Sequence, residues 1–260
     1  MVRWLANKTP GDFGYFRSRW SCALLALVLW EEEQVRVSPE TIRRGLHRQN
    51  FAWRRPRPVL GLKDPQREAK LRKLRRLLRT LPAGETVVFQ DEVDVHLNPK
   101  IGSCWMRCGQ QAEVVTPGNN EKRHLAGSLH WRTGTLLLSS PTRQRNAAMF
   151  LAHLDDLRSR LRSYRKIHVI CDNAKFHDCR AVWDYLARHG DRIELHFLPK
   201  YAPDTNPIER IWWHLHETIT RNHRCPTTEK LLTEVYDWVE AETNFRQQIE
   251  YYSDMYPLAA

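Results

Sequence analysis

The sequence has no long hydrophobic run, no paired C-x-x-C and, in its first third, few acidic residues. Its longest apolar stretch, Ala23 to Trp30, is too short to span a bilayer. No N-terminal segment has the charged-then-apolar order of a secretory signal. These absences argue against a membrane partner and for a soluble, cytoplasmic protein. Six cysteines at positions 22, 104, 108, 171, 179 and 225 lie in a chain of 260 residues, too large to need disulfide staples. They are read as reduced thiols. The 42% of hydrophobic residues is enough to build a core, which excludes intrinsic disorder, and the length suits one large or two modest domains.

The shortage of acid is local. Residues 1–85 hold 19 Lys+Arg against 8 Asp+Glu, a net of +11, whereas residues 86–260 hold 22 of each. The entire net charge of +11 therefore belongs to the first third, and it implies a polyanionic partner for that segment.

Within that third, Ser18 to Trp30 (SRWSCALLALVLW) lacks Pro and Gly and predicts a buried helix capped by Ser18. A second helix is predicted to start at Ser38-Pro39-Glu40, with Ser at the cap, Pro at the first helical position and an acid in the first turn. Ile42 and Leu46, four apart, face the core and leave Arg43, Arg44, His47 and Arg48 outward. Two helices with a basic second one suit a helix-turn-helix that enters a major groove. Phe51 to Pro58 (FAWRRPRP) adds an arm with Arg54, Arg55 and Arg57, suited to phosphates or a minor groove. A solvated Arg-rich face is the alternative. Asp64 to Leu81 predicts a further basic helix with Leu71, Leu74, Leu77 and Leu78 as its apolar stripe. Pro82-Ala83-Gly84 ends it, so the expected organisation is a recognition domain over 1–60, a linker helix over 61–84 and a second domain over 85–260.

The pattern after Gly84 alternates strands and helices. Strands are predicted at Thr86 to Phe89, Val114-Val115, Leu136 to Leu138, Ile167 to Cys171 and Ile193 to Leu198. Helices are predicted at Ala147 to Arg162, Cys179 to Arg188 and Asn206 to Thr220. This order gives an α/β domain with one mixed central sheet and flanking helices. Asp91 and Asp172 follow apolar strands, and Glu209 sits in the first turn of a helix. Three such carboxylates can hold two divalent cations for an in-line phosphoryl displacement, and hard oxygen ligands favour Mg²⁺, with Mn²⁺ as substitute. Each acid alone is equally well explained by strand ends and the helix dipole.

The blocks FQDEVDVHLNP (Phe89 to Pro99), HVICDNAKFH (His168 to His177) and LPKYAPDTNPIERIWWHLH (Leu198 to His216) resemble the catalytic blocks of DDE transposases of the mariner superfamily. The nearest likeness is to the bacterial insertion-sequence family called IS-six-thirty. Gly102 to Gln110 (GSCWMRCGQ) is similar to its Trp-containing hairpin, which carries no metal site, so Cys104 and Cys108 are not expected to hold zinc. The TPGDFGY, SRWS, PETIRRGLHR and RRPRP stretches look like its second helix-turn-helix. Members usually carry another such module ahead of this one, so the chain is expected to be one recognition module short.

The resemblance implies a ribonuclease-H-like catalytic domain behind a small all-α, winged-helix-like DNA-binding domain. It implies that Asp91, Asp172 and Glu209 bind the metal, that Glu92, Asn173 and His177 support them, and that Asn206 with Pro207 caps the helix presenting Glu209. Strand alternation turns Asp91 and Glu92 to opposite faces, so only one should reach a metal. The implied activity is cut-and-paste transposition on double-stranded DNA: recognition of terminal inverted repeats, cleavage, and strand transfer into a TA target. The implied assembly is a homodimer, and the implied location is the bacterial nucleoid. A catalytically silent repressor is the alternative; a ribonuclease is disfavoured, because A-form RNA offers a helix-turn-helix no comparable groove.

Overall fold

A computed structural model describes residues 2–54, 64–242 and 245–257. The chain divides into two compact units, residues 1–59 and 60–260. The first holds α1 (Val2–Asn7), a 3₁₀ turn (Pro10–Phe13), α2 (Cys22–Glu33) and α3 (Pro39–Arg48). The α2 helix starts three residues later than a cap at Ser18 predicts, because Ser21 is its cap and accepts the Leu24 N–H. Ser38 caps α3 as expected, accepting the Thr41 N–H with Pro39 at the first helical position. Gln34 ends α2 in a left-handed conformation, and a short segment then turns the chain into α3. Trp20, Leu24, Leu25, Val28 and Ile42 form the core between them.

The second unit is a five-stranded sheet in the order β3-β2-β1-β4-β5, from β1 (Glu85–His96), β2 (Lys122–His130), β3 (Leu136–Leu138), β4 (Lys166–Cys171) and β5 (Ile193–Phe197). β1 pairs antiparallel with β2 and parallel with β4. On one face α4 (Arg67–Arg79), α7 (Ile208–Leu215), α8 (Thr228–Ala241) and α9 (Arg246–Glu250) pack over Phe89, Val93, Leu129 and Ile170. On the other, α5 (Ala147–Arg160) and α6 (Arg180–His189) cover Val88, Val169 and Cys171.

Three expectations change. First, the basic helix expected as a linker is part of this second unit: Leu71, Leu74 and Leu78 of α4 are buried in its core, and Leu77 packs against it. The start of α4 is also tied to the loop after β5, where Asp64 accepts the Lys200 N–H and Arg67 pairs with Asp204 at 2.7 Å. Second, Val114-Val115 forms no strand, and Val115 is exposed. The strand is instead Lys122–His130, which alternation does not reveal because its last six residues are all buried. Third, Gly102 to Gln110 is an exposed loop without paired strands rather than a hairpin, anchored by two hydrogen bonds between Gly102 and Asn222. All six cysteines are unpaired, with Cys104 and Cys108 exposed.

The last described residues fold back beneath the sheet. Tyr256 stacks near Phe89 and Trp131 and donates its hydroxyl to the Thr205 carbonyl at 2.8 Å, while the Tyr252 hydroxyl reaches the Asn206 carbonyl at 3.4 Å. No described helix is long and apolar enough to cross a membrane.

Candidate active site

β1 runs straight through Asp91 and Glu92 to His96, so Asp91 lies within the strand instead of at its end. Its parallel register with β4 pairs Phe89 with Ile170, and two residues further along both chains stand Asp91 and Asp172. Glu209, in the first turn of α7, completes the group. The three acids line one cleft of about 710 Å³, together with Arg145, Lys175, Lys200 and Asn206.

The electrostatics show how close the acids are. Burial first, then the charges of Glu209, Glu92 and Asp172, hold the Asp91 carboxyl well above its ordinary range. Burial and then the Asp172 charge raise Glu209. For Asp172, burial acts upward but is outweighed by hydrogen bonds from His177 and the Ala174 N–H and by the charges of His177 and Arg145, so its carboxyl is lowered. Two of three neighbouring acids are therefore short of positive charge. The ligand atoms of the triad do not all fall within 4.8 Å of one another. Asn206 offers a further acceptor, because its Oδ1 is buried and has no partner. A hard-oxygen donor set with unbalanced negative charge fits Mg²⁺ or Mn²⁺.

The supporting residues sort by face. Asp91 accepts the Trp212 indole N–H at 3.1 Å, on the α7 side. Glu92 points the other way and is buried, accepting the Gln90 amide at 2.7 Å and the His177 Nε2–H at 2.9 Å. His177 is itself fully buried, and its Nδ1 lies 2.9 Å from Asp172 Oδ1. Burial lowers this imidazole's proton affinity, but bonds to Asp172, Cys171 and Glu92 overcome it and push it up to about 12. A charged His177 thus orients Asp172 from below. Asn173 donates to the Leu198 carbonyl at 2.7 Å and so ties the end of β4 to the cleft wall. Asn206 does not cap α7 with its side chain; its amide donates to the Gln90 carbonyl at 3.0 Å, fastening the Glu209 turn to β1.

In the first unit, Arg43, Arg44, His47, Arg48 and Arg54 are all exposed, whereas Arg55 and Arg57 lie outside the described residues. Glu40 takes part of the charge, pairing with Arg43 at 2.7 Å and Arg44 at 3.4 Å. Sequence reasoning missed Arg145, Trp212 and Gly127. Trp212 reads locally as one more core aromatic of α7, and Arg145 precedes α5 in a loop, so only tertiary structure reveals either.

A mixed five-stranded sheet with helices on both faces and three carboxylates in one cleft defines a nuclease-type phosphoryl-transfer domain. Residues 86–232 match the model of the DDE superfamily endonucleases, and residues 17–73 match the winged helix-turn-helix model. The chain is 39% identical over 245 residues to the insertion element IS630 uncharacterized 39 kDa protein of Shigella sonnei, covering 94% of this chain and 71% of that one. Its fold is similar to the Mos1 pre-cleavage transpososome at 21% identity and a TM-score of 0.63, covering 93% of this chain and 78% of that one. It is also similar to the mariner Mos1 paired end complex with Mg at 22% identity and a TM-score of 0.61, covering 98% and 84%. The protein belongs to the DDE superfamily endonucleases, as a relative of the insertion element IS630 protein, and joins a winged helix-turn-helix to a DDE endonuclease domain; the silent-repressor alternative is not favoured.

Gly127 stands directly opposite Asp91 on β2. A Cβ there would fall 2.5 Å from Trp212 Cη2, 2.8 Å from its Cζ2 and 3.0 Å from Leu138 Cδ2. Trp212 is buried and cannot yield without releasing Asp91. Gly127→Ala is expected to cost about 1–3 kcal/mol by overpacking, read by denaturant unfolding, and to slow cleavage further than Trp212→Phe, which keeps most of the packing.

Proposed function

We propose that Asp91, Asp172 and Glu209 are the catalytic acids, holding two Mg²⁺ ions, or Mn²⁺ in their place, and that the protein cuts and joins the terminal inverted repeats of its own element. The observation that carries this is the convergence of the three carboxylates in a cleft walled by Arg145, Lys175 and Lys200. Bound divalent ions supply Lewis-acid activation of the attacking oxygen and charge stabilisation at the leaving one. The protein's own groups do the rest. Trp212 fixes one oxygen of Asp91, and charged His177 fixes Asp172, so neither acid must reorganise as charge develops. Arg145, Lys175 and Lys200 offer cations to the phosphates that flank the scissile bond. Water displaces the 3′ oxygen, and the freed 3′-OH then attacks target DNA, taken to be a TA site, with no covalent enzyme intermediate.

Recognition of the inverted repeats is assigned to α3, with Arg43, Arg44, His47 and Arg48 toward the major groove and Arg54, Arg55 and Arg57 on the following arm. The exposure of the α3 side chains and Arg54 supports it. A homodimer in the synaptic complex is supported by the loop after β1, which exposes Ile101, Trp105, Met106 and Val115. The site of action would be the bacterial cytoplasm at the nucleoid. The test is cleavage of DNA carrying the element's ends by the full chain. Nicking with Mg²⁺ or Mn²⁺ that stops with chelator is the expected result, and chelator-resistant nicking would sink the reading.

A further inference from the structure

Away from the carboxylate cleft, at the opposite end of β4, two histidines face each other across the β4–β5 pair. The odd residues of β4 (Ile167, Val169, Cys171) pack toward α5 and α6, so His168 projects with Ile170 to the α4 face. In the parallel register His168 pairs with Glu194, and Ile170 with His196. Both imidazoles are buried, while Glu194 is 44% exposed at the sheet edge. His168 Nδ1 lies 3.0 Å from His196 Nε2 and 3.8 Å from Glu194 Oε2, and His196 Nε2 lies 3.6 Å from Glu194 Oε1. The three ligand atoms all fall within 4.8 Å of one another.

These separations are close to those of a tetrahedral zinc site. With metal–ligand bonds of about 2.0–2.1 Å, neighbouring ligands of a tetrahedron stand about 3.3–3.4 Å apart, so His196 Nε2 is already near that spacing from both His168 Nδ1 and Glu194 Oε1, and the carboxylate turns to bring one oxygen to the ion. The outer groups are also arranged for it. His168 donates its Nε2–H to Glu85 at 2.9 Å, so Nδ1 is the nitrogen turned to His196, and an ion bound there displaces the proton that the two facing nitrogens share. A carboxylate behind a ligating histidine fixes its tautomer and raises its basicity. Lys166 holds Glu194 Oε2 at 2.7 Å and leaves Oε1 turned to His196. Burial lowers His196 to about 4, with the Glu194 charge opposing and those of His168, Lys73 and Lys166 assisting, so its ring is neutral and able to ligate at neutral pH.

We propose that His168, His196 and Glu194 form a second metal site, for a borderline transition ion such as Zn²⁺ and not for Mg²⁺, with a fourth position open to water. Two imidazole nitrogens set this preference, whereas the cleft's carboxylates select hard ions. The two sites share no residue: His168 lies four residues of strand from Asp172, roughly 13 Å at about 3.3 Å per residue, and His196, beside Ile170, lies two residues from it, roughly 7 Å. The ion clamps β5, which among the described residues pairs only with β4, and so steadies the loop from Leu198 to Asn206 that lines the catalytic cleft.

The test uses the full chain, stripped by chelator and then saturated with Mg²⁺ so that the carboxylate cleft is filled. Titration with Co²⁺ is expected to bind one equivalent with the intense visible bands of a tetrahedral, nitrogen-ligated ion, and Zn²⁺ is expected to displace it. Glu85→Gln should weaken Co²⁺ binding by about 10–100-fold, and His196→Gln by more. Glu194→Gln, at a half-exposed position, serves if the histidine variant does not fold, and it too must weaken binding. Asp91→Asn must leave the visible spectrum unchanged. Absence of the bands, their survival in Glu194→Gln and His196→Gln, or their loss in Asp91→Asn would overturn the proposal.

Discussion

Asp91→Asn is expected to lower metal-dependent strand cleavage on the order of 10³-fold while raising the thermal midpoint of the ion-free protein. The loss follows from taking away one carboxylate of the proposed metal clamp, worth several kcal/mol of transition-state stabilisation, at about 1.36 kcal/mol per tenfold. The gain follows from the same geometry. Asp91 is pushed upward by burial and by three neighbouring acids, so the ion-free fold holds its proton more tightly than the unfolded chain does. That contribution is complete below the ordinary carboxylate range and is lost as pH rises through the raised folded value. Above it the native state carries a buried, poorly compensated charge, which Asn removes while still accepting the Trp212 N–H. The advantage of Asn should therefore be absent in acid and grow with pH. Cleavage of end-containing DNA and melting curves with and without Mg²⁺ check both halves; retained cleavage or an unchanged midpoint at neutral pH would count against the site.

His177→Ala is expected to be the most destabilising single change near the cleft, at about 3–5 kcal/mol, because it strands Glu92 as a buried charge. Glu92 and His177 have side chains 1% and 0% exposed, and among the described residues the Glu92 carboxylate takes its other hydrogen bond from Gln90. Cleavage should fall too, since Asp172 loses its orienting partner. The paired replacement Glu92→Met with His177→Leu should recover much of the stability but not the activity, which separates positioning from packing. The imidazolium's own contribution is complete below about pH 6.5 and is lost only as pH climbs toward the raised folded value, so the deficit of a His177→Gln variant should persist at pH 8. Urea unfolding across this range reads it directly. A deficit that vanished near neutrality would mean that His177 is not charged in the fold.

How much of this was legible in the sequence depended on how local each signal was. Asp91, Asp172 and Glu209 stand in short blocks whose strand or helix setting is written in the adjacent residues, and Ser38-Pro39-Glu40 announces α3 in the same way. The contribution of α4 to the catalytic core was not legible, because its stripe of leucines says that a face is buried but not against what. Asn206 looked like a cap because Asn-Pro before an apolar helix usually is one; its actual partner, the Gln90 carbonyl, is 116 residues away. The N–H of Trp212 and the bare backbone of Gly127 matter only because β2 brings them opposite Asp91. β2 itself escaped notice because a strand buried on both faces carries no alternation.

The tyrosine hydroxyls of the last described residues have a consequence in time. Synthesis runs from the N-terminus, and domains fold as they emerge. The helix-turn-helix is complete after about the first fifth of the chain, but the turn carrying Asn206 and Glu209 gains its Tyr252 and Tyr256 latches only when almost all of this sequence has been made. A nascent chain would therefore acquire the ability to hold DNA well before it acquires a finished blade. Truncation upstream of Tyr252 should convert a cutter into a binder, with the order of translation acting as a safety catch on the genome that encodes it.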